Sequence, residues 1–164
     1  SIAFIKLIDK LNLNIENAYN FLKNKSTTEH RFEKVEIING TRFINDSKST
    51  NFHSVSSASE RVKNALLIMH GITKNIPTSE LQLSNEIKKI IIPNDMNLDH
   101  NLFHCEVQVI KSIFELEDIL KKDFQRFETV LFSCGGSSFN DFENYIERGK
   151  FFKSILKNLK GGQN

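Results

Sequence analysis

The sequence predicts an α/β fold, a mostly parallel, doubly wound sheet of about six strands with an N-terminal β-hairpin edge and flanking helices. Short uninterrupted apolar runs such as "ALLIM" and "IIIP" suit strands buried on both faces. Amphipathic stretches with helical spacing separate them. Asn39-Gly40 sits between two alternating runs, where a tight hairpin turn wants positive φ.

Each element follows in order. In "IAFIKLIDKL", Ile2, Ile5, Ile8 and Leu11 recur at helical spacing, and "NIENAYNFLKN" continues behind Asn14, an N-cap candidate, so two short helices open the chain. "RFEKVEIINGTRFINDS" switches to alternation and predicts strands near 32–38 and 41–45. From Asn51, Phe52, Val55, Ala58 and Val62 form a helical stripe, and "ALLIM" then completes a strand-helix-strand unit. The rhythm repeats through "SELQLSNEIKK" as a helix, "IIIP", a loop, "EVQVI", "SIFELEDILKK", "ETVLFS" and a long helix beginning near Asn140. Ser112 with Glu115 reads as a capping box, and "KGGQN" as a frayed tail.

At 164 residues, with 39% hydrophobic content, the chain suits one domain with a small appendage. A net charge of +2 gives no broad field to recruit nucleic acid or an acidic membrane. Cys105 and Cys134 form no metal or disulfide framework, which points to a reducing compartment and a cytoplasmic protein. Charged residues interrupt the apolar opening, so it reads as neither membrane span nor signal peptide.

In a doubly wound sheet, ligands collect at the carboxyl ends of the strands. Three loops are expected there: "NDSKST" at 45–50, "HGITKN" at 70–75 and "CGGSS" at 134–138. Asp46 suits ribose hydroxyls or a cation, Lys48 is a mobile point charge, and Thr50 stands near a helix start. The plainer reading has the hydroxyls capping a helix, Lys48 and Lys74 solvated, and the glycines serving a turn. Lys48, Lys74 and Ser138 on neighbouring strand ends would instead make a crevice for carboxylate or phosphate. His100 and His104 lack further ligands for a metal, and no histidine is fixed beside Cys134 to make it a nucleophile. The glycine positions provide no G-x-x-x-x-G-K-[ST] phosphate loop.

"HRFEKVEIINGTRFINDSKSTN", "ALLIM" and "SCGGSSFNDFENYIERGKFF" occur in the order and separation of one family's motifs, and residues 30–159 resemble the C-terminal domain of the Mur ligases, specifically their D-glutamate-adding branch. The resemblance implies a Rossmann-like domain at 29–160, preceded at 1–28 by terminal helices of a central ATPase domain and followed by a flexible tail at 161–164. It implies ATP-dependent ligation of D-glutamate to UDP-N-acetylmuramoyl-L-alanine through an acyl phosphate, in peptidoglycan synthesis. ATP and Mg2+ would be bound mainly by the missing central domain, with no metal ligand in this chain, and the fragment alone would be inactive. The missing N-terminal and central domains would be its partners.

By motif, Arg31 and Asp46 would touch the nucleotide. Lys48, Thr50, Lys74, Ser138, Phe139 and Tyr145 would surround D-glutamate, the two lysines also aiding catalysis. The chain departs from the family pattern in four places. His70 stands for a glycine with no acid at Ile72 or Thr73, Cys134 for a proline, Phe139 for a leucine and Tyr145 for a phenylalanine. A folylpolyglutamate synthase-like ligase domain and a non-catalytic Mur-ligase-like binding module are the alternatives.

Overall fold

The computed structural model of the protein describes residues 28–73 and 75–161. The two opening helices expected from the sequence, Lys74 and residues 162–164 lie outside the described residues.

Six strands form one sheet in the order β1-β2-β6-β3-β4-β5: β1 (Glu33–Ile38), β2 (Thr41–Asp46), β3 (Ala65–His70), β4 (Ile87–Pro93), β5 (Glu106–Ile110) and β6 (Thr129–Gly135). β1 pairs antiparallel with β2, and every other pairing is parallel. The edge hairpin turns at Asn39 (φ 50°) and Gly40 (φ 85°), the two positive values a primed turn requires. The expected mostly parallel sheet with an antiparallel edge is therefore present.

The central strand β3 is buried along its entire length, as an apolar run covered on both faces should be. On one face Leu66, Ile68, Val130 and Phe132 pack beneath α2 (Leu116–Asp123) and α3 (Tyr145–Gly161), with Phe132 and Phe152 stacked at 4.6 Å. On the other, Leu67, Met69, Ile90 and Leu131 pack beneath α1 (Phe52–Ser59) and the chain around Leu81 and Leu98. With eight residues, α1 is too short to persist alone, and its buried Phe52, Val55 and Ala58 anchor it to the sheet. The side chain of Asn51 caps it by accepting from the Ser54 amide at 2.9 Å, an interaction of ~1 kcal/mol.

Two expectations need correction. "SELQLSNEIKK" forms no α-helix: a 3₁₀ turn covers Thr78–Glu80, and β4 already begins at Ile87. The Gln82 and Ser84 amides donate instead to the Ser56 and Ser59 hydroxyls of α1, which draws this segment out along the neighbouring helix. Leu81 and Leu83 pack at a spacing of two, so their shared face is that of extended chain.

The last helix begins at Tyr145 rather than near Asn140, because the Asn144 side chain caps it by accepting from the amides of Ile146 and Glu147. Residues 138–142 are instead folded into a turn closed by the Ser138 carbonyl, which accepts from the Asp141 and Phe142 amides. The Ser112 hydroxyl does cap the preceding segment, accepting from the Phe114 amide, but at a 3₁₀ turn (Ile113–Glu115) that leads into α2.

Candidate functional site

β2, β6 and β3 are adjacent and parallel, so the chain leaves all three at one edge of the sheet. The exits are stitched together. The Gly135 amide donates to the Ser49 carbonyl at 2.9 Å, joining the loop that carries Lys48 and Thr50 to the one that carries Ser138. Ile72 and Ser137 exchange two backbone hydrogen bonds of 3.0 Å, joining the β3 loop to the same place. Gly71, at φ 111°, has a backbone conformation that side chains rarely adopt, and a Cβ there would collide with the Ser137 carbonyl.

Asp46 ends β2 with its carboxylate buried. One oxygen accepts from the Phe32 amide at 2.9 Å, and the other accepts from the hydroxyls of Ser49 and Ser133. Asp46 thus holds the His30-Arg31-Phe32 turn, whose His30 (φ 65°) and Phe32 (φ 44°) take left-handed backbone conformations. The His30 ring is buried beside Tyr145, and its Nδ1 lies 2.9 Å from the Asn45 amide nitrogen. Burial pushes its pKa below the ordinary histidine value. A Cβ on Gly149 would overlap the His30 ring and the Ser47 hydroxyl, so the start of α3 approaches this turn as closely as a glycine allows.

Lys48 projects from the β2 loop and donates from Nζ to the Tyr145 hydroxyl at 3.1 Å, with Nζ 4.8 Å from the ring centroid. Beside it a groove of about 530 Å³ is lined by Arg31, Asp46, Lys48, Thr50, His53 and Arg61, among others. Its cations, Arg31, Lys48 and Arg61, outnumber the single carboxylate of Asp46, and Asn51, where α1 begins, also lines it. The groove can take an anion bearing hydroxyl groups.

Behind the loops lies Arg148, fully buried. Its guanidinium donates to the carbonyls of Ser47 (2.7 Å), Gly136 (3.0 Å) and His70 (3.1 Å). The His70 ring, also buried, shares a 2.8 Å hydrogen bond between Nε2 and Asp141. Burial lowers the His70 pKa, against the opposing pull of that hydrogen bond and with some help from Arg148.

Of the expected site residues, Arg31, Asp46, Lys48 and Thr50 share the groove, and Tyr145 reaches it through Lys48. Ser138 is buried in the adjoining loop, whereas Phe139 is 74% exposed. Lys74 lies outside the described residues, between Thr73 and Asn75 of the β3 loop. Cys134 is fully buried, and burial pushes its thiol up to about 12, so it supplies no nucleophile. The described residues contain no cluster of three or more side chains able to hold a metal ion.

Sequence reasoning assigned no role to His30, His70, Asp141 or Arg148. A signal for Arg148 was present. It lies on the stripe with Phe152, Ile155, Leu156 and Leu159, and an arginine on the apolar face of a helix demands buried acceptors.

Fold and strand-end loops together define a Rossmann-like α/β domain with a polar groove at the carboxyl ends of its strands. No protein-family model matches the sequence. The chain is 34% identical to the UDP-N-acetylmuramoylalanine–D-glutamate ligase of Thermosipho africanus, an alignment covering 87% of this chain and 35% of that protein. The enzymes of that name from Pseudothermotoga lettingae and Francisella tularensis subsp. novicida are 29% and 27% identical, each over 97% of this chain and over 39% and 40% of their own lengths. The crystal structure of MurF ligase from Thermotoga maritima in complex with ADP shares the fold, with a TM-score of 0.62 at 13% identity over 94% of this chain and 37% of that one. The chain thus resembles the Mur ligases, and its fold matches that of their C-terminal domain. It spans 35–40% of the length of these curated relatives.

Proposed function

We propose that the chain is the amino-acid-binding C-terminal domain of a cytoplasmic ligase that joins D-glutamate to UDP-N-acetylmuramoyl-L-alanine in peptidoglycan precursor synthesis. The names of the curated relatives support the substrate. Residues 1–28 then end a preceding central domain, and 29–160 form the substrate-binding unit. The contact between Lys48 Nζ and the Tyr145 hydroxyl carries the reading: an ammonium group stands at the strand ends, on a loop hydrogen-bonded to the one bearing Ser138.

Lys48 and Lys74 offset the two carboxylates of D-glutamate, Thr50 and Ser138 supply hydroxyl donors, and Phe139 and Tyr145 bound the aliphatic stem. With both carboxylates held, the amine is oriented for attack, which is where positioning lowers a bimolecular barrier most. ATP with Mg2+, held mainly by domains outside this chain, supplies the activation of the acceptor carboxylate as an acyl phosphate. Arg31 and Asp46 fit a nucleotide, since both line the groove and Asp46, with three hydrogen bonds made, retains about one of its roughly four lone-pair sites for a ribose hydroxyl.

The chain alone should bind D-glutamate weakly and hydrolyse no ATP. Millimolar D-glutamate should shift the amide NMR signals of Lys48, Thr50 and Ser138, and Lys48→Ala should abolish those shifts. Spectra insensitive to D-glutamate would refute the assignment.

A further inference from the structure

Arg148 is a buried cation that donates to three backbone carbonyls and to no carboxylate. The three carbonyls belong to Ser47, one residue past β2, to His70, the last of β3, and to Gly136, one residue past β6. They are the exits of three adjacent parallel strands. A planar guanidinium can serve several such acceptors at once because its N–H groups are fixed in a fork, which a lysine ammonium lacks. His70 extends the cluster: its Nδ1 faces Arg148 Nη1 at 3.3 Å as an acceptor, so Nε2 bears the proton donated to Asp141. Asp141 in turn sits in the tight turn closed by the Ser138 carbonyl.

From this chain of contacts we infer that Arg148, His70 and Asp141 form a positioning clamp that sets the spacing of the three strand-end loops and so determines how well they grip the amino acid. The inference rests on those loops being the substrate site proposed above. None of the three is a catalytic residue, since they act through the loops that carry Lys48, Thr50 and Ser138.

Asp141→Ala, which removes the acceptor for the His70 Nε2 proton, and Arg148→Lys test the clamp in this chain, with amide hydrogen exchange and D-glutamate titration read by NMR. Both variants should exchange the Ile72, Ser137 and Gly135 amides about tenfold faster than the parent, with Ile91 and Val109 in β4 and β5 unchanged. Affinity for D-glutamate should fall severalfold. Asp141 is partly exposed, so Asp141→Ala should fold normally and decides the matter even where Arg148→Lys does not fold. Unchanged exchange at Ile72 and Ser137, a uniform rise across the whole sheet, or loosened loops with undiminished affinity would each overturn the clamp. A parent chain that binds no D-glutamate contradicts the substrate assignment instead, and the exchange data still show whether the three residues hold the loops together.

Discussion

The two halves of the sheet bury different chemistry. Around β4 and β5 the core is aliphatic, and the buried Lys89 is paired with Asp123 at 2.8 Å and Glu106 at 3.1 Å. At the carboxyl ends of β2, β6 and β3 the buried residues include His30, Asn45, Asp46, Ser47, Ser49, His70, Ser133, Ser138 and Arg148. Ordinary packing explains the first half. The second carries a desolvation cost that stability alone does not require, since apolar replacements of buried polar clusters are often neutral or better. Buried polar networks specify geometry, and here they fix the loops that bear the proposed substrate residues.

Substitutions in the two halves should separate these roles. The largest effect belongs to Arg148→Met, which leaves three buried carbonyls without their donor at ~1–3 kcal/mol each, so denaturant melts should show a loss of at least ~3 kcal/mol. Lys89→Met should cost no more than ~1 kcal/mol, because Asp123 keeps Arg126 and Glu106 is largely exposed. Equal losses would erase the distinction between the halves. Gly149→Ala should cost ~2 kcal/mol by forcing α3 away from His30 and Ser47, while Gly161→Ala, with open space around it, should be close to neutral.

Acid provides a gentler probe. His30 and His70 both have folded pKa values below the unfolded value of ~6.5, chiefly through burial, so the unfolded chain binds more protons as pH falls. Their contribution to stability is complete above ~6.5 and is lost as pH drops through the folded values. Thermal melts should therefore show falling stability from pH 7 towards pH 5, with a shallower slope in a His70→Asn variant.

Much of this fold was legible because local rules and packing agree. The Asn39-Gly40 turn, the apolar run of β3 and the stripe of α1 each satisfy turn chemistry or periodicity and burial together. Legibility failed where side chains redirected the backbone: α1 serines drew out the stretch before β4, and Asn144 delayed α3. At the site, Lys48, Thr50 and Asp46 were readable because they sit at a strand end next to a helix start. Arg148 was marked by its place on an apolar stripe, but its partners were not readable, since they are backbone carbonyls of residues 12 to 101 positions away in sequence.

The central claim is that these loops hold a dicarboxylic amino acid, and a co-crystal of the chain with D-glutamate tests it most directly. One ligand carboxylate should lie within hydrogen-bonding distance of Lys48 Nζ and the Ser138 hydroxyl, with the Tyr145 ring against the ligand's carbon chain. Density for the ligand elsewhere, with Lys48 still bound only to Tyr145, would contradict it.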